Sequence, residues 1–250
     1  MKKIACLLCI IPLLGWAQLS QPRDIDFVRS FIAPFKTQDI AAITAFIEFP
    51  LYRPYPIENI QDSTEFASRF EEFFDAELIS EITASDPEKN WRKMGYQGIM
   101  LNKGSLWLDP YERKLISVNH KNPKTNRLLE RATVLQKANL HSSLRDFETA
   151  VLLMTTEKFT IRIDRLKDGE YRYASWGRSK KMNQKPDLVL VGGSKSFEGS
   201  GGNHSYSFTH KNYTYICQIY VLGFKNIPAE LQVYKGKTLF HAEVANKIDY

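Results

Sequence analysis

Two apolar periods divide the chain. Between Gln21 and about Ala84 apolar residues recur every third or fourth position, and from Arg145 onward they recur every second. In the first stretch Pro22 suits a first helical position. Ile25, Val28, Phe31 and Ile32 follow at helical spacing, and Pro34 is expected to end the run. Thr37 is placed to cap a second helix carrying Ile40, Ile43 and Ile47. Asp62 opens a third, with Glu65 at capping-box spacing and Phe66, Phe70, Phe73, Phe74 and Leu78 along one face. A Phe stripe at that spacing reads as core. Between the second and third helices lies "FPLYRPYPIENI", where Pro50, Pro54 and Pro56 forbid a helix and hold an extended path. It presents Tyr52, Arg53 and Tyr55, either as a loop with a short edge strand over the core or as the rim of a pocket.

After Asp86-Pro87 the period changes to two. "GYQGIMLN", "SLWLD" and "KLISVNH" predict a three-strand meander, with Lys103-Gly104 as one turn. The polar run 119–127 breaks the pattern, and "LLERATVLQKANL" predicts a helix over 128–140. From Arg145 eight strands are expected: "FETAVLLMT", "KFTIRID", "EYRYASW", "DLVLV", "HSYSF", "YTYICQIYVL", "ELQVYK" and "TLFHAEV". Lys167-Asp168-Gly169, Gly192-Gly193 and Lys235-Gly236 are expected to punctuate them as hairpin turns. There is no strand–helix–strand alternation, so the late half predicts an antiparallel sandwich or barrel. The fold class is α+β. The expected organisation is a leader over 1–17, an α+β domain over 18–127, a linker helix over 128–144 and an all-β domain over 145–250.

The leader changes the picture most. Lys2 and Lys3 precede an apolar run from Ile4 to Leu14, followed by Gly15, Trp16 and Ala17. That is the pattern of a secretory signal peptide cut near Ala17, too short to span a membrane. The mature chain is then expected in the periplasm or outside the cell, and the short Lys-Lys start with few cysteines points to a bacterium. Cutting there leaves one cysteine, Cys217, hence no internal disulfide. Cys217 alternates with Tyr213, Tyr215 and Ile219 on one strand face and reads as a buried apolar thiol. The formal net charge of +6 is a mild excess that loses two units with the leader. It favours anionic partners weakly and, with no basic arm, finger or recognition helix, excludes nucleic acid.

The order helix, helix, extended strand, helix and meander, with "YQGIMLNKGSLWLD" and "KLISVNH", resembles the NTF2-like (cystatin-like cone) arrangement over about 21–120. The resemblance implies helices on a curved antiparallel sheet enclosing a small pocket. Enzymes of that family place Asp–His pairs in the cone, whereas here His120 is the only histidine in this half, so the resemblance implies binding. "SGGNHSY" is also similar to the Ser-Gly-x-x-Tyr loop of periplasmic lysozyme inhibitors, with Ser200 and Gly201 matching its start and His204 standing where Tyr is expected.

Two surfaces are candidates for binding. The loop "EGSGGN" is longer than hairpin closure requires and can present Ser200, Asn203, His204 and Tyr206, or it can be a turn only. "YRYASWGRSKK" offers Tyr171, Tyr173, Trp176 and Arg178, rings that stack on sugars beside cations that bind anions. Tyr171 and Tyr173 share a sheet face and Trp176 falls on the other. The chain contains no Gly-x-Ser-x-Gly elbow, His-Glu-x-x-His or phosphate loop, and its five histidines are scattered. No catalytic residue, metal site or cofactor is therefore assigned. The expected function is an exported, non-catalytic binding module for a small ligand, a glycan, an anionic envelope polymer or a protein. The alternatives are a hydrolase acting on a cell-wall polymer and a lysozyme-inhibitor-like protein.

Overall fold

A computed structural model describes residues 19–199, 201–221 and 227–250. Residues 1–17, expected as a leader, and Ser200 lie outside the described residues. Among the described residues no helix is long and apolar enough to cross a membrane. The chain is α+β, with helices followed by antiparallel sheets. It divides into two compact units: the described residues up to Glu48 with Ala67–His120, and Phe49–Phe66 with Lys121–Tyr250. The proline-rich segment thus groups with the late half.

The helices are α1 (Pro22–Lys36), α2 (Ile40–Thr44), α3 (Ser63–Ser68), α4 (Ala76–Ala84) and α5 (Pro123–Asn139). Contrary to expectation, α1 runs through Pro34, which sits so near the end that its missing N–H removes only one helical bond. Thr37 ends α1 instead of opening α2, which Asp39 caps by accepting from Ala42 N. The capping box holds in a shifted form: Asp62 accepts from Glu65 N, and the Glu65 carboxylate accepts from Gln61 N. The long Phe-stripe helix is broken into α3, a single turn over Phe70–Glu72, and α4, where Asp75 interrupts the run by capping Leu78 N. α5 starts five residues before the expected position, because Asn122 accepts from Lys124 N and Pro123 suits the first turn.

In the first unit, β1 (Trp91–Lys93), β2 (Ile99–Leu101), β3 (Leu106–Asp109) and β4 (Lys114–Val118) form an antiparallel sheet in that order, one strand more than the meander predicted. Its core joins Phe27, Phe31 and Phe35 of α1, Phe74, Leu78 and Ile82, and Trp91, Ile99, Leu101, Leu106 and Leu108. Phe31 meets Trp91 edge-on at 6.0 Å, a favoured ring geometry. Tyr96, aromatic at the start of the meander, does not join this core; it is exposed.

In the second unit all eight expected strands form: β5 (Thr149–Thr155), β6 (Phe159–Arg165), β7 (Tyr171–Gly177), β8 (Leu188–Phe197), β9 (His204–His210), β10 (Tyr213–Ile219), β11 (Ala229–Lys235) and β12 (Thr238–Val244). A ninth, β13 (Lys247–Asp249), pairs with β5. The sheet order is β12-β11-β10-β9-β8-β7-β6-β5-β13, a curled half-barrel. Its two edges are consecutive in the chain. Ala245 N donates to Ala229 O at 2.9 Å and Asn246 N donates to Thr155 O at 2.7 Å, so the final segment ties one edge to the other. Lys158 N and Nζ both reach the Glu243 carboxylate across the same gap. The sheet consequently curls around a concave apolar face built from Leu152, Met154, Ile161, Ile163, Tyr173, Leu190, Phe208, Cys217, Ile219 and Leu231.

One turn prediction is overturned. Gly192-Gly193 lies inside the ten-residue β8, where the register with β7 shifts between Tyr171 and Arg172. Gly192 has φ +76°, and a Cβ on Gly193 would stand 2.1 Å from the Phe208 ring. The glycines bend one strand from its pairing with β7 to its pairing with β9 while admitting that ring; they do not reverse the chain.

The convex face of β5–β7 is also covered. Leu140, Leu144, Phe147, Ala150, Ala174 and Trp176 pack there around a buried polar group. Asp164 accepts from Arg162 Nε at 2.7 Å and from Arg172 Nη2 at 2.8 Å. Arg162 Nη1 donates to Tyr55 Oη and to Gln136 Oε1, tying the proline-rich segment and α5 to the sheet. Cys217 is wholly buried on the concave face, and burial pushes its thiol up to about 12. The folded chain should therefore resist iodoacetamide at about pH 8 and react fully only once unfolded; labelling of the folded chain at a free-thiol rate would contradict this placement.

Candidate functional site

β10 and β11 carry Tyr213, Tyr215, Leu231 and Val233 on the concave face, because period two puts every other residue of paired strands on one side. Across the curl stand Phe159 on β6 and Tyr173 and Ser175 on β7. Leu188 lies on β8, and Phe240 and His241 on β12. Together with Asp187 they line a pocket of about 450 Å³ wholly within the second unit. Phe159 meets His241 edge-on at 6.1 Å, joining strands far apart in the sheet order, and Tyr213 meets Phe240 at 5.8 Å across β11.

Tyr173, Asp187 and His241 in this lining have polar partners. Burial pushes the Tyr173 phenol far above its ordinary range, and the phenol is hydrogen-bonded to Ser175. Burial also raises the Tyr215 phenol, with Tyr213 adding to it. Asp187 pairs with Lys180 and accepts from Gly177 N at 2.8 Å; these contacts hold its carboxyl below the usual value. His241 Nε2 donates to Glu243 at 3.0 Å. Burial raises the Glu243 carboxyl, but bonds from Thr156, Lys158 and His241 outweigh it and leave it lowered.

The sequence-predicted residues fall into three groups. Tyr173 lines the pocket. Tyr171, His204 and Tyr206 are brought together on the same concave face: Tyr171 and Tyr206 are 5.1 Å apart by ring centroids, His204 and Tyr206 5.6 Å. Tyr52, 68% exposed, is near enough to Tyr250 to raise its phenol, second to burial. Tyr250 in turn lies 6.3 Å from His204. The rest are placed elsewhere. Trp176 is buried on the convex face with its Nε1 donating to Gln184 O, and Arg178 is exposed. Arg53 is buried and bonded to Thr125, and Tyr55 is held by Arg162 and Gln136, so 52, 53 and 55 do not form one surface. Asn203 accepts from Val221 N at 2.8 Å, pinning the Gly-rich loop, in which Gly199 and Gly202 take positive φ.

Several groups were missed. Phe240, His241 and Tyr213 carried the period-two signal, but no local pattern says that β12 comes opposite β6. Lys195 and Phe197 were lost because the strand was ended at Gly192. In the first unit His120 Nε2 donates to Asp75 at 3.0 Å. Burial raises the Asp75 carboxyl, and bonds from Leu78 N and His120 outweigh it, holding it low; it serves as the cap of α4. No group of three or more His, Cys, Asp or Glu side chains suited to a metal occurs among the described residues. No family model, curated protein or solved structure matches the chain.

Proposed function

We propose that the chain is an exported, non-catalytic binding protein of a bacterial envelope, and that the ring-lined pocket of the curled sheet seats a small ligand with an apolar body. The observation that carries this reading is the pocket itself. Its volume of about 450 Å³ lies in the range of small-molecule sites, and its walls are five Phe and Tyr rings, the His241 imidazole and three aliphatic side chains. The mouth of a curled or closed β-sheet is a common place for such a site. The state of its polar groups favours binding over turnover. Burial raises the Tyr173 and Tyr215 phenols, so they stay protonated, and the Asp187 carboxylate is paired with Lys180, so each can orient a ligand by a hydrogen bond. Export rests on the charged and apolar leader pattern, and the NTF2-like reading of the first unit rests on its element order.

The test is binding of an uncharged apolar dye such as N-phenyl-1-naphthylamine to the mature chain. Phe240→Ala removes an exposed ring and should spare the fold. It should weaken dye binding by about tenfold or more, since fully burying a Phe side chain contributes roughly 1.5–3 kcal/mol. Tyr213→Ala should act in the same direction. Saturable binding that neither variant alters would place the ligand elsewhere, and absence of binding by the parent would remove the reading.

A further inference from the structure

The concave face has a second end. His204 pairs with Ile219, whereas the pocket residue Tyr213 starts the same strand β10, so the two ends lie six residues apart, about 20 Å. At this second end β8 presents Lys195 and Phe197, and β9 presents His204 and Tyr206 in direct register with them. The Lys195 ammonium stands 4.7 Å from the Phe197 ring centroid and 5.4 Å from that of Tyr206. It is half-buried, and burial alone pushes its pKa down; among the described residues no carboxylate is paired with it. The neighbouring carboxylate in the chain, Glu198, acts on Tyr220 instead. His204 is 7% exposed, and its Nδ1 donates to Gly202 O at 2.8 Å. That bond fixes the neutral tautomer with Nε2 as acceptor, which becomes a second donor when the ring is protonated. Burial and then Lys195 oppose that protonation, against the Gly202 bond. Beside these two nitrogen bases Phe197 is 66% exposed and Tyr250 45% exposed.

A cation drawn partly out of water and held by ring faces but by no anion, next to a second basic group whose charging it suppresses, suits the binding of something negative. Exposed rings flanking it suit an apolar body. We propose that this end of the half-barrel docks a small anionic amphiphile. Its phosphate or carboxylate head is held by Lys195 and by protonated His204, and its apolar body lies on Phe197 and Tyr250. The site is separate from the ring-lined pocket and does not depend on it. Within the Gly-rich loop, Gly202 orients the His204 ring through its carbonyl.

The experiment is an NMR titration of the mature chain, following the His204 ring, with three probes: octyl phosphate below its micellar concentration, inorganic phosphate, and octyl glucoside. Octyl phosphate should bind at least tenfold more tightly than either other probe, and saturation should raise the His204 pKa by about one unit or more. Lys195→Gln should weaken octyl phosphate binding at least tenfold, and Lys195→Arg should retain it. Equal binding of octyl phosphate and octyl glucoside, equal binding of octyl phosphate and inorganic phosphate, or full binding by a folded Lys195→Gln protein would each overturn the proposal.

Discussion

Asp164→Ala is expected to lower the unfolding free energy by about 3–5 kcal/mol. Asp164 is fully buried and is the carboxylate shared by Arg162 and Arg172, both of them also buried. Removing it leaves two guanidinium groups under the sheet with part of their hydrogen bonding intact: Arg162 to Tyr55 and Gln136, Arg172 to the carbonyls of Leu144 and Asp146. Those neutral partners satisfy donors but do not offset charge. Urea denaturation measures the loss as a drop in the midpoint at unchanged slope. A triple replacement, Asp164→Leu with Arg162→Met and Arg172→Met, should recover much of it, because apolar residues of similar volume often substitute for a buried ionic group without loss when no charged member is left behind. A single-variant loss below about 1 kcal/mol would mean the charges are far better hydrated than their burial indicates.

Gly193→Ala is the second. A hairpin-turn glycine tolerates that change at small cost, but Gly193 sits in mid-strand with the Phe208 ring at 2.1 Å from the added carbon. Phe208 is itself buried and packed 5.5 Å from Tyr173, so the ring has no free direction in which to move. The expected loss is about 1–3 kcal/mol, as for other overpacked cores. Phe208→Ala alone should cost about 3–5 kcal/mol. The double variant should cost less than the sum of the two by more than about 0.5 kcal/mol, since each relieves the other's defect. Strict additivity in thermal or urea unfolding would show that the two positions do not touch, and that β8 does not run unbroken through the glycines.

Much of the late half was legible along the chain. Alternation such as Phe159, Ile161 and Ile163 against Thr160 and Arg162 marks a strand and its faces from neighbouring residues alone. All eight strands formed, and Trp176 fell on the face opposite Tyr171 and Tyr173. Helix existence was legible too, but boundaries were not: Asp75 breaks a periodic Phe run because a side-chain bond to Leu78 N competes with helix continuation. The error at Gly192-Gly193 was costlier. A glycine pair signals positive φ equally for a turn and for a bulge, and choosing the turn removed Lys195 and Phe197 from view.

By itself the sequence determined the α+β class, the existence and faces of eight late strands and the burial of Cys217, because each follows from which side of a short element is apolar. Only the tertiary structure decided which distant strands meet. It bent β8 at its glycines, used Ala245 and Asn246 to tie β12 to the β5 edge, and so set Phe240 and His241 against Phe159 at one end and gathered His204, Lys195 and Tyr250 at the other. The physical reason is range: periodicity is a property of residues two to four apart, whereas curl and closure come from hydrogen bonds and ring contacts between residues up to about ninety apart, which no local repeat records.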